Sequence, residues 1–278
     1  MNSLVNGRPA GQISVSDRGL AYGDGVFRTI RCEAGRLLLW PRHYAKLAAD
    51  CAALGITCPA EALLLADIAH LDAVDGVIKI IVSRGESQRG YACVTGAPVT
   101  RIVQLSALPA YSESLYSDGA VVRLCDWPLS IQPGLAGIKH LNRLDQVMAR
   151  REWTDTAIFD GLMCNGRGEL VEGVISNLFL LQDGCLHTHP LHDCGVAGVA
   201  RQLLLELAPG QGLNVQRRAL HLDDLQSADA VLLSNSLAGI VPVSRLGDMH
   251  WPLTPQLTAL RLQWLQASRR EWLAAKPV

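Results

Sequence analysis

Trp127-Pro128-Leu129-Ser130-Ile131-Gln132-Pro133-Gly134-Leu135-Ala136-Gly137-Ile138-Lys139 is a run of twelve residues without an ionisable side chain, followed by a lysine. A lysine presented by an apolar segment is a candidate for a lowered pKa, because burial disfavours the ammonium form and frees the amine. Such an amine makes Schiff bases with carbonyl groups. Glu172 opens a second uncharged stretch, Gly173 to Gln182. Taken singly, each has a plainer reading: a lysine is commonly a solvated charge, and a glutamate beside a glycine often marks a turn.

The chain beyond adds the missing chemistry. Gly195-Val196-Ala197-Gly198-Val199-Ala200-Arg201 leads into a helical pattern, and amides exposed at a helix N-terminus suit a phosphate dianion. Ser234-Asn235-Ser236, after the apolar strand Ala230 to Leu233, offers hydroxyl and amide donors. Simple turns are the alternative at both places. A lysine amine, a carboxylate to keep a pyridine nitrogen protonated, and a phosphate cup together form the set that pyridoxal 5′-phosphate requires.

At 278 residues, 49% hydrophobic and net charge −1, the sequence has the bulk for one large or two modest globular domains. Near-neutral charge gives no electrostatic case for nucleic acid or a membrane surface. The start lacks a basic stretch followed by an apolar core, and no apolar run reaches spanning length, so the expected setting is the cytoplasm. Eight scattered cysteines without a C-x-x-C pair read as buried free thiols.

Strand and helix patterns alternate. Leu4–Val5 enters a turn at Asn6-Gly7; 26–33 and 37–40 form a hairpin; 42–54 and 59–71 are helical, the second with Pro59 in its first turn; 77–83 and 101–105 are strands. Beyond Pro109 to Ser114, a turn-prone linker, 120–125 and 157–163 read as strands, and 142–153 as a helix capped by Asn142. A hairpin at 176–181 and 185–188 turns on Asp183-Gly184, and helices follow at 198–208 and 254–273. The expectation is an α/β (α+β) chain with a small N-terminal domain over 1–108, a linker over 109–118 and a larger barrel-like C-terminal domain over 119–278, with a cofactor in the cleft between domains.

Four segments in order resemble the fold-type IV pyridoxal phosphate enzymes and, among them, the aminodeoxychorismate lyases. Ser16-Asp17-Arg18-Gly19-Leu20-Ala21-Tyr22-Gly23-Asp24-Gly25-Val26-Phe27 is similar to the N-terminal signature. Gly137 to Leu144 resembles the lysine segment, Glu172 to Phe179 the segment with the pyridine-binding glutamate, and Gly195 to Arg201 the phosphate cup. The resemblance implies Lys139 as the cofactor lysine and base, Glu172 at the pyridine nitrogen, and Asn177, Gly198, Val199, Ala200 and Asn235 around the cofactor. Where many relatives carry H-x-x-R-L, this chain reads His43-Tyr44-Ala45-Lys46-Leu47, so Lys46 meets the phosphate only as a compact donor. Thr29 resembles a position near the active site in relatives; its alternative is an ordinary strand residue.

Ser83-Arg84-Gly85 followed by Arg89-Gly90-Tyr91 is closer to the lyases than to the branched-chain or D-amino-acid aminotransferases. The implied reaction takes 4-amino-4-deoxychorismate to 4-aminobenzoate and pyruvate, toward folate, in a homodimer. A dicarboxylate substrate calls for arginines: Arg84, Arg89, Arg28 and Arg101 are the candidates, with Tyr91 as a donor. Arg28 and Arg101 are equally readable as strand-face charges. Two readings from other classes remain: a pyridoxal phosphate-binding protein without turnover, and a zinc hydrolase on His187 and His189, which share a strand face but lack a nearby H-E-x-x-H glutamate.

Overall fold

The computed structural model describes residues 2–93 and 96–275. Contacts divide the chain into two units: Met1–Pro109 with Ile138–Asn142 and Ser268–Val278, and Ala110–Gly137 with Arg143–Ala267. A continuous 119–278 domain, as the sequence pattern predicts, is therefore interrupted. The difference includes the five residues around Lys139, which are stitched by backbone hydrogen bonds into the first unit.

That unit comprises β1 (Ser3–Val5), β2 (Arg8–Pro9), α1 (Arg18–Tyr22), β3 (Gly25–Glu33), β4 (Arg36–Leu38), α2 (Trp40–Ala53), α3 (Glu61–His70), β5 (Gly76–Ser83), β6 (Thr100–Ser106) and, from the end of the chain, β16 (Trp272–Ala274). The sheet runs β16-β4-β3-β5-β6-β1-β2. β3 alternates strictly: Val26, Arg28, Ile30 and Cys32 are buried, while Phe27, Thr29, Arg31 and Glu33 are half-buried. Trp40, His43, Leu47, Asp50 and Cys51 of α2 are buried at three- and four-residue spacing, a core-facing stripe that includes two polar residues. β4 reaches only Cys32 and Glu33 of β3. The rest of that edge is taken by the lysine segment: Phe27 N–H donates to Lys139 C=O at 3.0 Å and Leu141 N–H to Gly25 C=O at 2.9 Å.

The second unit holds α4 (Ser114–Ser117), β7 (Ala120–Leu124), α5 (Leu144–Arg150), β8 (Ile158–Cys164), β9 (Leu170–Gly173), β10 (Asn177–Gln182), β11 (Cys185–Thr188), α6 (Val199–Leu207), β12 (Asn214–Arg217), α7 (Leu222–Ser227), β13 (Ala230–Asn235), β14 (Gly239–Leu246) and β15 (Met249–His250). α8 (Pro255–Arg270) leads back to the first unit. Strands β10-β13-β14-β7-β8-β9 run in order, and β9 returns to pair with β10, closing a barrel-like ring. The closing pair is Glu172 with Asn177. The β10–β11 hairpin turns on Asp183 and Gly184, both with positive φ, as the Asp-Gly pair predicts.

Three local expectations are corrected. Helix α5 starts at Leu144, capped by Arg143 without a side-chain bond, and Asn142 lies one residue before the cap, its amide donating to Gly23 C=O. Pro59 precedes the Ala60 cap of α3 and lies outside its first turn. The terminal helix stops at Arg270, and Trp272–Ala274 pairs with β4, where a tertiary edge overrides local composition.

Candidate active site

Lys139 is half-buried at the edge of β3. The adjacent bridge joins Val26 and His140, which places Lys139 opposite Phe27 and on the face that Thr29 shares. Its Nζ sits 4.6 Å from the centre of the Phe27 ring, a cation–π contact. Its backbone N–H donates to Asp50 Oδ2 at 3.1 Å. The Asp50 side chain is 2% exposed and also forms ion pairs with Arg28 and Lys46. Burial, and then the Arg28 charge, draw Lys46 down to about 8; burial draws Arg28 down to about 10. His43 is fully buried, and burial, followed by the Arg28 and Lys139 charges, pushes it down to about 3, so it is neutral near pH 7.

The arginines expected to meet substrate divide sharply. Arg84 grips both oxygens of Asp24 at 2.8 and 3.0 Å and donates to Leu54 C=O and Gly55 C=O at 2.7 Å each. Those four bonds leave one of its five N–H groups, so Arg84 is a clamp inside its own unit. Arg101 is held by Asp67 at 2.7 Å, and Arg28 by Asp50. Each of these three is held by a carboxylate remote in sequence. Arg89 is exposed and makes no ion pair or side-chain hydrogen bond among the described residues, and Tyr91 is 85% exposed.

Glu172, 3% exposed on β9, lies in a different kind of environment. Its Oε2 accepts from Val196 N–H at 2.8 Å and from the Asn177 amide at 3.3 Å. Asn177 also donates to Val196 C=O at 2.7 Å. A side chain at Gly198 would land on Asn177 Oδ1 and force the Asn177 amide to shift. The turn after Glu172 is tied to Asp160, which accepts from Ser176 Oγ at 2.6 Å and Gly161 N–H at 2.8 Å. Burial raises Asp160 to about 7, against the lowering effect of those bonds.

Beside this cradle, Gly198 caps α6 without a side-chain bond, leaving the first-turn amides of Val199 and Ala200 to another acceptor. Ser234, opposite Asn177 in register, buries a hydroxyl that has no hydrogen-bond partner among the described residues. Arg201 Nε is likewise buried and unpartnered, while its Nη2 donates to His189 C=O at 2.9 Å. Orphaned donors next to an uncapped helix start mark a place for an external anion. The residues therefore fit the pyridoxal phosphate implied by the resemblance. Asn235 is partly occupied: its Oδ1 accepts from Leu237 and Ala238 N–H at 3.0 and 2.8 Å, so only its amide donors remain for a ligand.

The family model for amino-transferase class IV matches residues 25–246. The chain belongs to the class IV amino-transferases. It is 37% identical over 243 residues to an aminodeoxychorismate lyase of Vibrio harveyi, across 86% of this chain and 89% of that protein. The crystal structure of 4-amino-4-deoxychorismate lyase from Pseudomonas aeruginosa superposes with a TM-score of 0.91 at 44% identity, covering 95% of this chain and 98% of that one. The branched-chain amino acid aminotransferase of Escherichia coli shares the fold, with a TM-score of 0.82 at 20% identity over 97% of this chain and 95% of that one.

Within this class IV chain the histidines have structural partners. His187 Nδ1 accepts from Arg218 Nε at 3.2 Å, and His189 Nδ1 accepts from Leu191 N–H at 3.1 Å. No group of three or more potential metal ligands forms among the described residues. Sequence reasoning missed Asp50 beside Lys139 and Asp160 beside the turn after Glu172. A signal existed for Asp50, since Lys46 and Asp50 stand four apart on one helix. The sequence offers Ser234 as a hydroxyl donor, and its orphan state becomes visible with the pairing of β10 and β13.

Proposed function

We propose that this chain is a pyridoxal phosphate-dependent 4-amino-4-deoxychorismate lyase that yields 4-aminobenzoate and pyruvate. The observation that carries the reading is the likeness to the Pseudomonas lyase, at 44% identity, against 20% for the branched-chain aminotransferase. When bound, the cofactor supplies an electron sink at the carbon bearing the substrate nitrogen. Glu172, fixed by the Val196 amide and Asn177, holds a carboxylate for the pyridine nitrogen. Ser234, Arg201 and the amides of Val199 and Ala200 bind the phosphate, with Lys46 as a further cation.

Lys139 removes the proton from the ring carbon bearing nitrogen and returns one to the departing enolpyruvyl group. Phe27 excludes water on one side of its amine, and Thr29 shares that face. Aromatisation of the ring supplies driving force, so the reaction needs no second keto acid. Arg89 and Tyr91 are the groups left to meet the substrate carboxylates. The reading carries with it a homodimer and a cytoplasmic setting. The eight unpaired cysteines support a reducing compartment, and no helix among the described residues is long and apolar enough to cross a membrane.

The test is a coupled assay in which aminodeoxychorismate is generated in place and 4-aminobenzoate and pyruvate are quantified. Wild type is expected to give both products in equal amounts, and Lys139→Ala neither. Amino transfer to a keto acid without 4-aminobenzoate would assign the chain to the aminotransferases instead. Bound cofactor with no turnover of either kind would leave a binding protein.

A further inference from the structure

The N-terminal signature contributes a buried cation that the chemistry above does not use. Arg18, 4% exposed, donates from Nε to Asp24 Oδ2 at 2.8 Å. Its other nitrogens reach a segment about seventy residues downstream: Nη1 donates to Ser87 Oγ at 3.1 Å, Gly90 C=O at 3.1 Å and Ala92 C=O at 3.3 Å, and Nη2 to Tyr91 C=O at 3.2 Å. Its guanidinium also lies 4.9 Å from the Tyr22 ring. The Tyr22 hydroxyl accepts from Gly90 N–H at 3.2 Å, and its ring packs 5.4 Å from that of Tyr91. One side chain thus gathers three consecutive carbonyls of the arm that presents Arg89 and Tyr91.

The same short helix is pinned on its other side to the lysine segment. A side chain at Gly19 would meet Leu141 Cδ1 at 3.3 Å, and one at Gly25 would meet it at 2.7 Å. The Asn142 amide donates to Gly23 C=O at 3.3 Å. Asp24 ties the arrangement together by accepting from both Arg18 and Arg84. Burial alone would raise its pKa, but the hydrogen bonds from Arg84 and then Arg18 hold it below the ordinary carboxylate value. Helix α1 therefore stands between the arm and the residues that follow Lys139, with Arg18 as its grip on the arm.

We propose that Arg18 is a positioning residue for substrate: it sets the Ser87–Ala92 arm so that Arg89 and Tyr91 are presented in one register relative to the Lys139 segment. This deepens the proposed function and rests on its assignment of Arg89 and Tyr91 to the substrate carboxylates. A guanidinium suits the task because its planar fork reaches several acceptors at fixed angles, which an ammonium does not.

The experiment compares wild type, Arg18→Gln, Arg18→Lys and Ser87→Ala as holoenzymes in two readouts. The first is the rate of trypsin cleavage at the Arg89–Gly90 bond, which follows local opening of the arm. The second is the split between KM and kcat in the 4-aminobenzoate assay. Arg18→Gln is expected to raise cleavage and KM each about tenfold, the loss of a charged hydrogen-bond set. Its kcat and its visible absorbance from bound cofactor should stay close to wild type. Arg18→Lys should fall between, by keeping the pair with Asp24 and losing the carbonyl fork. Ser87→Ala, which removes one bond and leaves the buried pair intact, should shift both readouts about twofold in the same direction. Wild-type cleavage and KM in Arg18→Gln would overturn the proposal. Faster cleavage with unchanged KM would also overturn it, by showing an arm that Arg18 holds but substrate does not use. Failure of wild type itself to make 4-aminobenzoate would sink the lyase reading, a result separate from the cleavage rates.

Discussion

The surroundings of Lys139 and of Glu172 solve the same problem, a charge removed from water, in opposite ways. Around Lys139 the compensation is ionic: the buried Asp50 carboxylate is shared by Arg28, Lys46 and the Lys139 backbone. Around Glu172 the direct contacts are dipoles: a backbone amide and a side-chain amide hold the carboxylate, on a barrel seam closed by Glu172 and Asn177 themselves, and the Arg143 and Arg201 charges act on it as well. Ionic compensation fails when one partner is removed, because the remaining charges stay buried without an ion of opposite sign. The backbone part of the Glu172 compensation, the Val196 amide, cannot be deleted by one side-chain change, whereas the Asn177 part can.

The largest expected consequence falls on the ionic side. Asp50→Asn keeps the shape but strands Arg28 in the core, and should cost about 3 kcal/mol of unfolding free energy. Urea denaturation of the cofactor-free protein measures it. A loss under about 1 kcal/mol would mean that Arg28 and Lys46 are solvated well enough to do without the carboxylate, and the contrast between the two regions would dissolve.

The contrast also explains what could be read in the sequence. Lys139 and Glu172 stand out because uncharged stretches isolate them, and the ring of strands follows from alternation and from turn residues such as Asp183-Gly184. The partners of the arginines were illegible. Arg28, Arg84 and Arg101 meet Asp50, Asp24 and Asp67, which lie 22, 60 and 34 positions away. Arginines suited to a dicarboxylate look the same in sequence as arginines that bind the protein's own aspartates. Of the four candidates, only Arg89 lacks such a partner among the described residues. Asn142 misled for a related reason: its side chain is engaged with Gly23, 119 positions away, and the helix starts one residue later than its cap composition predicts.

A smaller effect sharpens the dipolar side. Ser234 buries a hydroxyl without a partner among the described residues, at a cost in the cofactor-free protein that the proposed phosphate contact would relieve. Ser234→Ala should therefore leave the cofactor-free protein as stable as wild type or more so, by up to about 1 kcal/mol, while weakening cofactor affinity several-fold. Thermal unfolding without cofactor, paired with titration by pyridoxal phosphate, reads both signs. Destabilisation with unchanged affinity would place the hydroxyl among ordinary packing groups and remove it from the phosphate cup.

The finest distinction is in pH, where buried groups in the two units push stability in opposite directions. His43 titrates at about 3 in the folded protein against 6.5 ordinarily. Below pH 6.5 the unfolded chain therefore binds a proton that the folded chain refuses, and stability falls as pH drops from 6.5 toward 3. Asp160 titrates at about 7 against 3.8, so the folded chain keeps a proton that the unfolded chain releases, and stability falls as pH rises from about 4 through 7. Each slope approaches about 1.4 kcal/mol per pH unit inside its window, and in wild type they offset one another between about pH 4 and 6.5. Single variants expose them. Asp160→Asn should become more stable relative to wild type as pH rises from about 4 to 7, whereas His43→Gln should gain relative to wild type as pH falls from about 6.5 to 4. Unfolding midpoints at about pH 4.5, 5.5 and 6.5 resolve the two. Parallel pH profiles for wild type and both variants would show that neither group changes its proton affinity on folding. A flat difference from wild type in one variant alone would show that its group is solvated in the native protein.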